Sequence, residues 1–211
     1  MLVLNLTNCL KSVGCAADRS SVVGFVGDCH YYHYGAQQTE DQGWGCGYRT
    51  LQTILSWYQL KEQKLPCVPT LRSIQDVLIN IGDKPEGFRN SRGWIGAFEC
   101  GLIIQTLVKH DFRILHIPDG RFLDKDVHTL SEHFHQTGSP VMMGGRDDNF
   151  SKGILAISVH PLTTMLLVCD PHYYSSGEEP SLEKLAEGGW IKWLSTQDLC
   201  ERGFYNLCLP L

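Results

Sequence analysis

The order in which two hydrophobic rhythms fall along the chain restricts its fold more than any other feature. Helical spacing dominates up to residue 136, and β-rich, apolar runs dominate from Pro140 onward. The first part predicts helices over Cys46–Tyr58, Leu71–Ile81, Ile95–Lys109 and Leu123–Gln136. Thr70 is placed to cap the second of these, whose Leu71, Ile74, Leu78 and Ile81 form one stripe, and Gly82 to stop it. Short strands are expected at Ser21–Val26 and Tyr31–Tyr34, and another at Phe112–Ile117. The first 20 residues read as an edge element followed by a loop, residues 65–69 as a rigid two-proline connector, and residues 83–94 as a surface loop. The second part predicts strands over Val141–Met143, Gly153–His160, Thr164–Asp170, Trp190–Leu194 and Phe204–Leu209, with a short helix at Thr196–Glu201. Helices first and strands second is the pattern of an α+β fold, with helices packed on a mostly antiparallel sheet, and not of βαβ alternation.

Length and composition narrow the class further. With 211 residues, 43% of them hydrophobic and 19% charged, the chain can bury one sizeable core, so a single domain over 1–211 is expected. A net charge of −5 without a basic stripe argues against nucleic acid as a partner. Nine cysteines, an odd number with no CxxC pair, do not form a secreted disulfide framework. Polar residues Asn5, Thr7, Asn8 and Lys11 interrupt the N-terminus as a signal peptide, and no apolar run is long enough to span a bilayer. A cytoplasmic, reducing location with free thiols is expected, and no integral membrane segment.

One of those cysteines stands apart. In Asp41-Gln42-Gly43-Trp44-Gly45-Cys46-Gly47-Tyr48-Arg49 it opens the first strong helix from a glycine-flanked turn. A thiol at a helix N-terminus feels the positive end of the macrodipole, which favours the thiolate. The flanking glycines leave room for another backbone to approach the sulfur. Far downstream, Asp170-Pro171-His172 follows the apolar run Leu166-Leu167-Val168-Cys169. Residues two apart on a strand share a face, so the carboxylate can hold the imidazole in one tautomer. Pro171 suits a strand end, since it has no N–H to give to a ladder. Taken singly, a buried cysteine is usually inert and Asp-Pro-His is a common turn. Their conjunction on an α+β background points to a cysteine hydrolase. His133 and His135 fall at a helix end where positions two apart diverge, with no cysteine pair nearby, so neither a metal site nor a cofactor is expected.

These motifs resemble the protease family specific for the ubiquitin-fold modifier, a small ubiquitin-like protein attached to lysines. The likeness runs through Tyr34, the segments 43–52 and 82–85, Ser91-Arg92-Gly93-Trp94-Ile95-Gly96, Pro140-Val141-Met142-Met143-Gly144-Gly145 and Asp170-Pro171-His172-Tyr173. It is similar to the short form of that family, without the N-terminal extension of the long members. One departure is Asn149-Phe150-Ser151-Lys152, where long members carry a His-Thr pair.

The resemblance implies a papain-like cysteine protease fold, with Cys46 as nucleophile, His172 as base and Asp170 as its orienter. Tyr34, twelve residues before the nucleophile, takes the place of the family's oxyanion-stabilising tyrosine, although Tyr31 and Tyr32 lie close by. Trp94, Gly144 and Gly145 are candidate walls of a narrow cleft for a scissile glycine. The implied activity is cleavage after the modifier's C-terminal glycine, maturing its precursor and freeing conjugated lysines, by a monomer. Two other readings are an autophagy-type cysteine protease, which shares Gly-Trp-Gly-Cys and Asp-Pro-His, and an inactive module that only binds a ubiquitin-like protein.

Overall fold

The computed structural model describes residues 1–14, 21–145, 151–161, 163–175 and 177–211. Its elements run β1 (Val3–Asn5), α1 (Leu6–Val13), β2 (Val22–Gly24), β3 (Asp28–His30), α2 (Cys46–Glu62), α3 (Leu71–Asn80), α4 (Ala97–Val108), β4 (Phe112–Ile117), α5 (Asp124–Gln136), β5 (Val141–Gly145), β6 (Lys152–His160), β7 (Thr163–Cys169), α6 (Leu182–Glu187), β8 (Ile191–Ser195) and β9 (Tyr205–Pro210). The main sheet has the order β4-β9-β5-β6-β7-β8, with β2 added on β6. Every named strand pair is antiparallel.

Helix α2 is the centre of the packing. Every residue from Cys46 to Tyr58 is buried, so this stretch of the helix presents no solvated face and belongs to the core, while the last turn reaches solvent. It lies against β3, β5, β6 and α4. Its side chains also serve as hydrogen-bond partners for the chain beside it: Ser56 Oγ accepts from the His30 N–H at 2.8 Å and Thr53 Oγ1 from the Tyr32 N–H at 3.1 Å.

Helix α3 begins as expected, with the Thr70 hydroxyl accepting from the Ser73 N–H at 3.1 Å. Helix α4 starts at Ala97, two residues later than its apolar pattern suggests, because the Glu99 carboxylate takes the Gly96 N–H at 2.9 Å and sets the boundary there. Strand β4 has the expected bounds.

Three local expectations change. Tyr31–Tyr34 is not a strand; the strand lies just before it, at β3, paired with β1. The Tyr31 and Tyr32 N–H groups go to the Leu2 carbonyl and to Thr53, which leaves no ladder to extend. Tyr34 keeps a single parallel bridge to Tyr174. Near the N-terminus the edge element is short and is followed by helix α1. There Asn5 caps the helix by accepting from the Asn8 N–H at 2.9 Å, and polar residues lie between the apolar positions of an amphipathic turn. The Thr196–Glu201 helix shrinks to a 3-10 turn over Thr196–Asp198, and a helix the sequence pattern did not indicate, α6, is capped by Ser181.

The register of the sheet decides where function can sit. Gly153 pairs with Cys169, Cys169 with Ile191, Met143 with Lys152 and Gly145 with Tyr205. The ends of β5 and β7 and the starts of β6, β8 and β9 therefore share one edge of the sheet. Residues 144–145, 151, 170–172 and 204–206 are neighbours there, although 62 positions separate the first from the last in sequence.

Candidate active site

Cys46 is the first residue of α2. The two glycines beside it are filled from opposite sides. A Cβ on Gly45 would meet Asp41 Oδ2 at 2.2 Å, and one on Gly47 would meet the Ile95 carbonyl oxygen at 2.4 Å. The room left by the glycines thus admits a carboxylate on one side and the backbone before α4 on the other. The sulfur stays at the surface of a cleft: Cys46 is 9% exposed and, with Trp44, Trp94, Ile95, Gly144 and Gly145 among the lining residues, bounds a cavity of about 340 Å³.

Asp170 and His172 stand just past the end of β7, in a turn. Their pairing follows from turn geometry and not from strand alternation. Asp170 Oδ1 accepts from the His172 N–H at 3.0 Å and contacts His172 Nδ1 at 2.5 Å. The turn is held from outside, by Asp170 N–H to the Trp190 carbonyl at 2.7 Å and by the Tyr31 hydroxyl to the Asp170 carbonyl at 2.5 Å. With Nδ1 engaged by the carboxylate, Nε2 is the ring nitrogen left to act on Cys46, and the two groups shift each other's ionisation.

The electrostatics follow from that contact. Burial opposes ionisation of the Cys46 thiol, but hydrogen bonds from His172, the Ser151 N–H and Tyr34 outweigh it, and the thiol falls below its usual value of 9.0. Burial likewise opposes charge on His172, yet Asp170 and the Cys46 sulfur raise its pKa from 6.5 to about 9. Asp170 is also disfavoured as an anion by burial, and the His172 ring and N–H more than compensate, so its carboxyl is held below the usual range. Both shifts favour a thiolate beside an imidazolium.

Of the three neighbouring tyrosines, Tyr34 is the one at the sulfur. Its ring stands edge-on to His172, centroids 5.1 Å apart and planes at 89°, and its hydroxyl hydrogen-bonds Cys46. Its backbone is fixed by the N–H donating to the Pro171 carbonyl at 3.0 Å. Tyr31 instead braces Asp170, and Tyr32 is buried beside Thr53. Sequence spacing alone left that choice open.

Trp94, 57% exposed, lines the cleft together with Gly144 and Gly145. Ser151, named in the sequence only within a departure from the long members, also lines it, as do Phe204 and Asn206, which no sequence motif indicates. The latter two come from the start of β9, and the signal for them is the strand register, which a sequence does not display. Asn149 and Phe150 lie outside the described residues. His133 is turned inward, its Nε2 3.0 Å from the Ser139 carbonyl oxygen. Two larger clefts, about 430 and 630 Å³, include none of Cys46, Asp170 and His172.

The sequence that brings this thiol, imidazole and phenol together matches, over residues 20–208, a family model described as Peptidase family C78. The chain belongs to this family. Over 180 residues it is 41% identical to "Ufm1-specific protease 1" of Mus musculus, covering 84% of this chain and 81% of that protein. Over 194 residues it is 38% identical to "Ufm1-specific protease 2" of Gallus gallus, covering 90% of this chain but 41% of that one. A crystal structure of UfSP from C. elegans superposes with a TM-score of 0.81 at 29% identity, over 96% of this chain and 36% of that chain. The chain therefore spans most of the mouse relative and well under half of the other two. The family resemblance carried by the motifs is borne out, and this C78 member has the papain-like α+β fold, with helices on an antiparallel sheet.

Proposed function

We propose that this C78 peptidase cleaves after the C-terminal glycine of the ubiquitin-fold modifier, both to mature its precursor and to free conjugated lysines. The observation that carries this reading is the joined set of Cys46, His172, Asp170 and Tyr34, with Cys46 lining the cleft. The names of the mouse and chicken relatives support the choice of substrate.

In the proposed sequence, the Cys46 thiolate attacks the glycine carbonyl carbon and its oxygen becomes the oxyanion. The Tyr34 O–H and the Cys46 backbone N–H donate to that oxygen. His172 gives its proton to the departing amine, leaving a thioester. The neutral imidazole then takes a proton from water, whose oxygen attacks the thioester and releases Cys46. Asp170 keeps Nε2 facing the sulfur through both steps. Glycine, with no side chain to place, suits a cleft lined by Trp94, Gly144 and Gly145.

The shared apolar core of the described residues supports a single catalytic domain, and the free state of the described cysteines is in keeping with a reducing, cytoplasmic location. Among the described residues no helix is long and apolar enough to cross a membrane. Incubation of the purified protein with the modifier's precursor, and in parallel with an autophagy-type ubiquitin-like precursor, tests the reading by product mass. A product ending at the modifier's glycine is expected. An intact modifier precursor, or preference for the other protein, refutes it.

A further inference from the structure

The cysteine turn and the tyrosine are joined by one guanidinium that the reaction scheme does not use. Arg49 and Asp41 are both fully buried, with side-chain exposures of 0%, and they form a two-point ion pair: Nε to Oδ2 at 2.7 Å and Nη2 to Oδ1 at 3.0 Å. A buried pair is costly to desolvate and needs every donor satisfied to persist. Here the remaining N–H groups reach the Ala36 carbonyl at 2.7 Å, Gln52 Oε1 at 2.9 Å and Gln37 Oε1 at 3.4 Å.

The acceptors reveal what the pair holds. Gly35 and Ala36 directly follow Tyr34; Asp41 Oδ1 takes the Gly35 N–H at 2.9 Å while Arg49 holds the Ala36 carbonyl. On the other side the Asp41 carbonyl accepts from the Trp44 and Gly45 N–H groups at 3.2 and 2.8 Å, which shapes the turn into Cys46. The Gly43 N–H of that turn hydrogen-bonds the Tyr34 hydroxyl. Gln52 ties the assembly to α2 through Gln37 Oε1 at 2.9 Å and to the Pro69 carbonyl at 2.7 Å. Both the backbone carrying Tyr34 and the turn carrying Cys46 are thus gripped by one carboxylate–guanidinium pair.

We propose that Arg49, with Asp41 and Gln37, is a positioning device that fixes the Tyr34 hydroxyl relative to the Cys46 sulfur and so sets the geometry of the oxyanion site. This rests on the reading of Tyr34 as oxyanion donor. Arg49 touches neither substrate nor reacting atoms; it acts through Tyr34. A role in fold stability alone would lower activity by the same factor whether or not the phenol is present.

The test places Arg49→Lys, which keeps the charge but loses the planar fork, in the native and the Tyr34→Phe backgrounds. Gln37→Ala, at an exposed position, serves as the milder variant that leaves the ion pair intact and carries the test if Arg49→Lys does not fold. Two readouts are used: kcat and KM on the modifier precursor, and the pH midpoint of iodoacetamide alkylation at Cys46, followed by mass spectrometry. In the native background Arg49→Lys is expected to lower kcat by about 10–10²-fold, the range for a misplaced transition-state donor, with KM changed less than about twofold. Its alkylation midpoint rises, because the Tyr34 bond to the thiolate is loosened. In the Tyr34→Phe background the further kcat loss falls below about threefold and the midpoint does not move. Gln37→Ala shows the same dependence on Tyr34 with smaller losses. Equal losses in both backgrounds, or none in either, overturn the proposal. If the unsubstituted protein leaves the precursor uncut, the substrate reading fails by itself and the alkylation midpoints still decide the role of Arg49.

Discussion

Cys46 and Cys169 are almost equally hidden, at 9% and 4% exposure, and each is close to the same histidine, one in space and one in sequence. Their thiols nevertheless shift in opposite directions. Cys169 ends β7 inside the sheet, where burial pushes its thiol well above 9.0 and the nearby Cys29, Cys9 and Asp170 add to the rise. Cys46 also suffers burial, but it opens a helix, faces the His172 ring and accepts from the Ser151 N–H and the Tyr34 hydroxyl. Burial alone makes a thiol inert, and reactivity comes from donors aimed at a buried sulfur. The chain supplies its own control in Cys9 and Cys208, both pushed up to about 12 by burial, the latter with no opposing contact.

The contrast can be tested most severely by removing each sulfur in turn. Cys46→Ser should lower cleavage of the modifier precursor by at least about 10⁴-fold, as for loss of other catalytic nucleophiles, with little change in Tm. Retained turnover would show that the helix-borne thiol is no more active than the core thiols. Next in size is Tyr34→Phe, which deletes one of the donors aimed at the sulfur and at the oxyanion. It should reduce kcat by about 10²–10³-fold and leave KM nearly unchanged. Comparable losses in both parameters would assign Tyr34 to substrate binding instead.

The pH dependence sharpens the comparison further. Because the Cys46 thiol lies below 9.0, its alkylation should rise with pH to a plateau reached through a midpoint below that value, while Cys208 stays unmodified. Cleavage needs His172 as an acid, so it should fall again as pH rises through about 9, where the imidazolium is lost, giving a bell-shaped profile. A Cys46 midpoint at or above 9.0 would remove the distinction between the thiols. The smallest effect belongs to Cys208→Ser. It places an unpaired hydroxyl in the core, at a cost of about 1–3 kcal/mol, which lowers Tm by roughly 2–10 °C while cleavage at moderate temperature is preserved. An unchanged Tm would mean that this sulfur contributes little to packing.

Local chemistry explains how much of the fold could be read from residue order. Helices α2, α3, α4 and α5 announce themselves because their caps and apolar stripes are contiguous, as with Thr70 before Leu71. The sheet strands are legible for the same reason, with ends displaced by a residue or two. The Tyr31–Tyr34 segment was misread because its N–H groups are taken by Thr53 and Leu2, partners that no local pattern reveals. Among site residues, Cys46 and the Asp170–His172 pair carry sequence signals, whereas Phe204, Asn206 and Ser151 reach the cleft only through strand register. Asp41 and Arg49 lie within the cysteine motif, yet their role depends on which backbone groups surround them.

Residue order by itself determined the α+β class, the helix that begins at a cysteine, and the presence of a carboxylate two positions from a histidine. These depend on interactions within a few residues of each other: capping, periodicity and turn formation. Only the tertiary structure decided that the helix end and the sheet edge meet, that Tyr34 and not Tyr31 stands at the sulfur, and that one thiol in a buried set is ionisable. Those outcomes depend on long-range packing and on opposing desolvation and hydrogen-bond energies, whose balance is set by distances between segments that the order of residues does not contain.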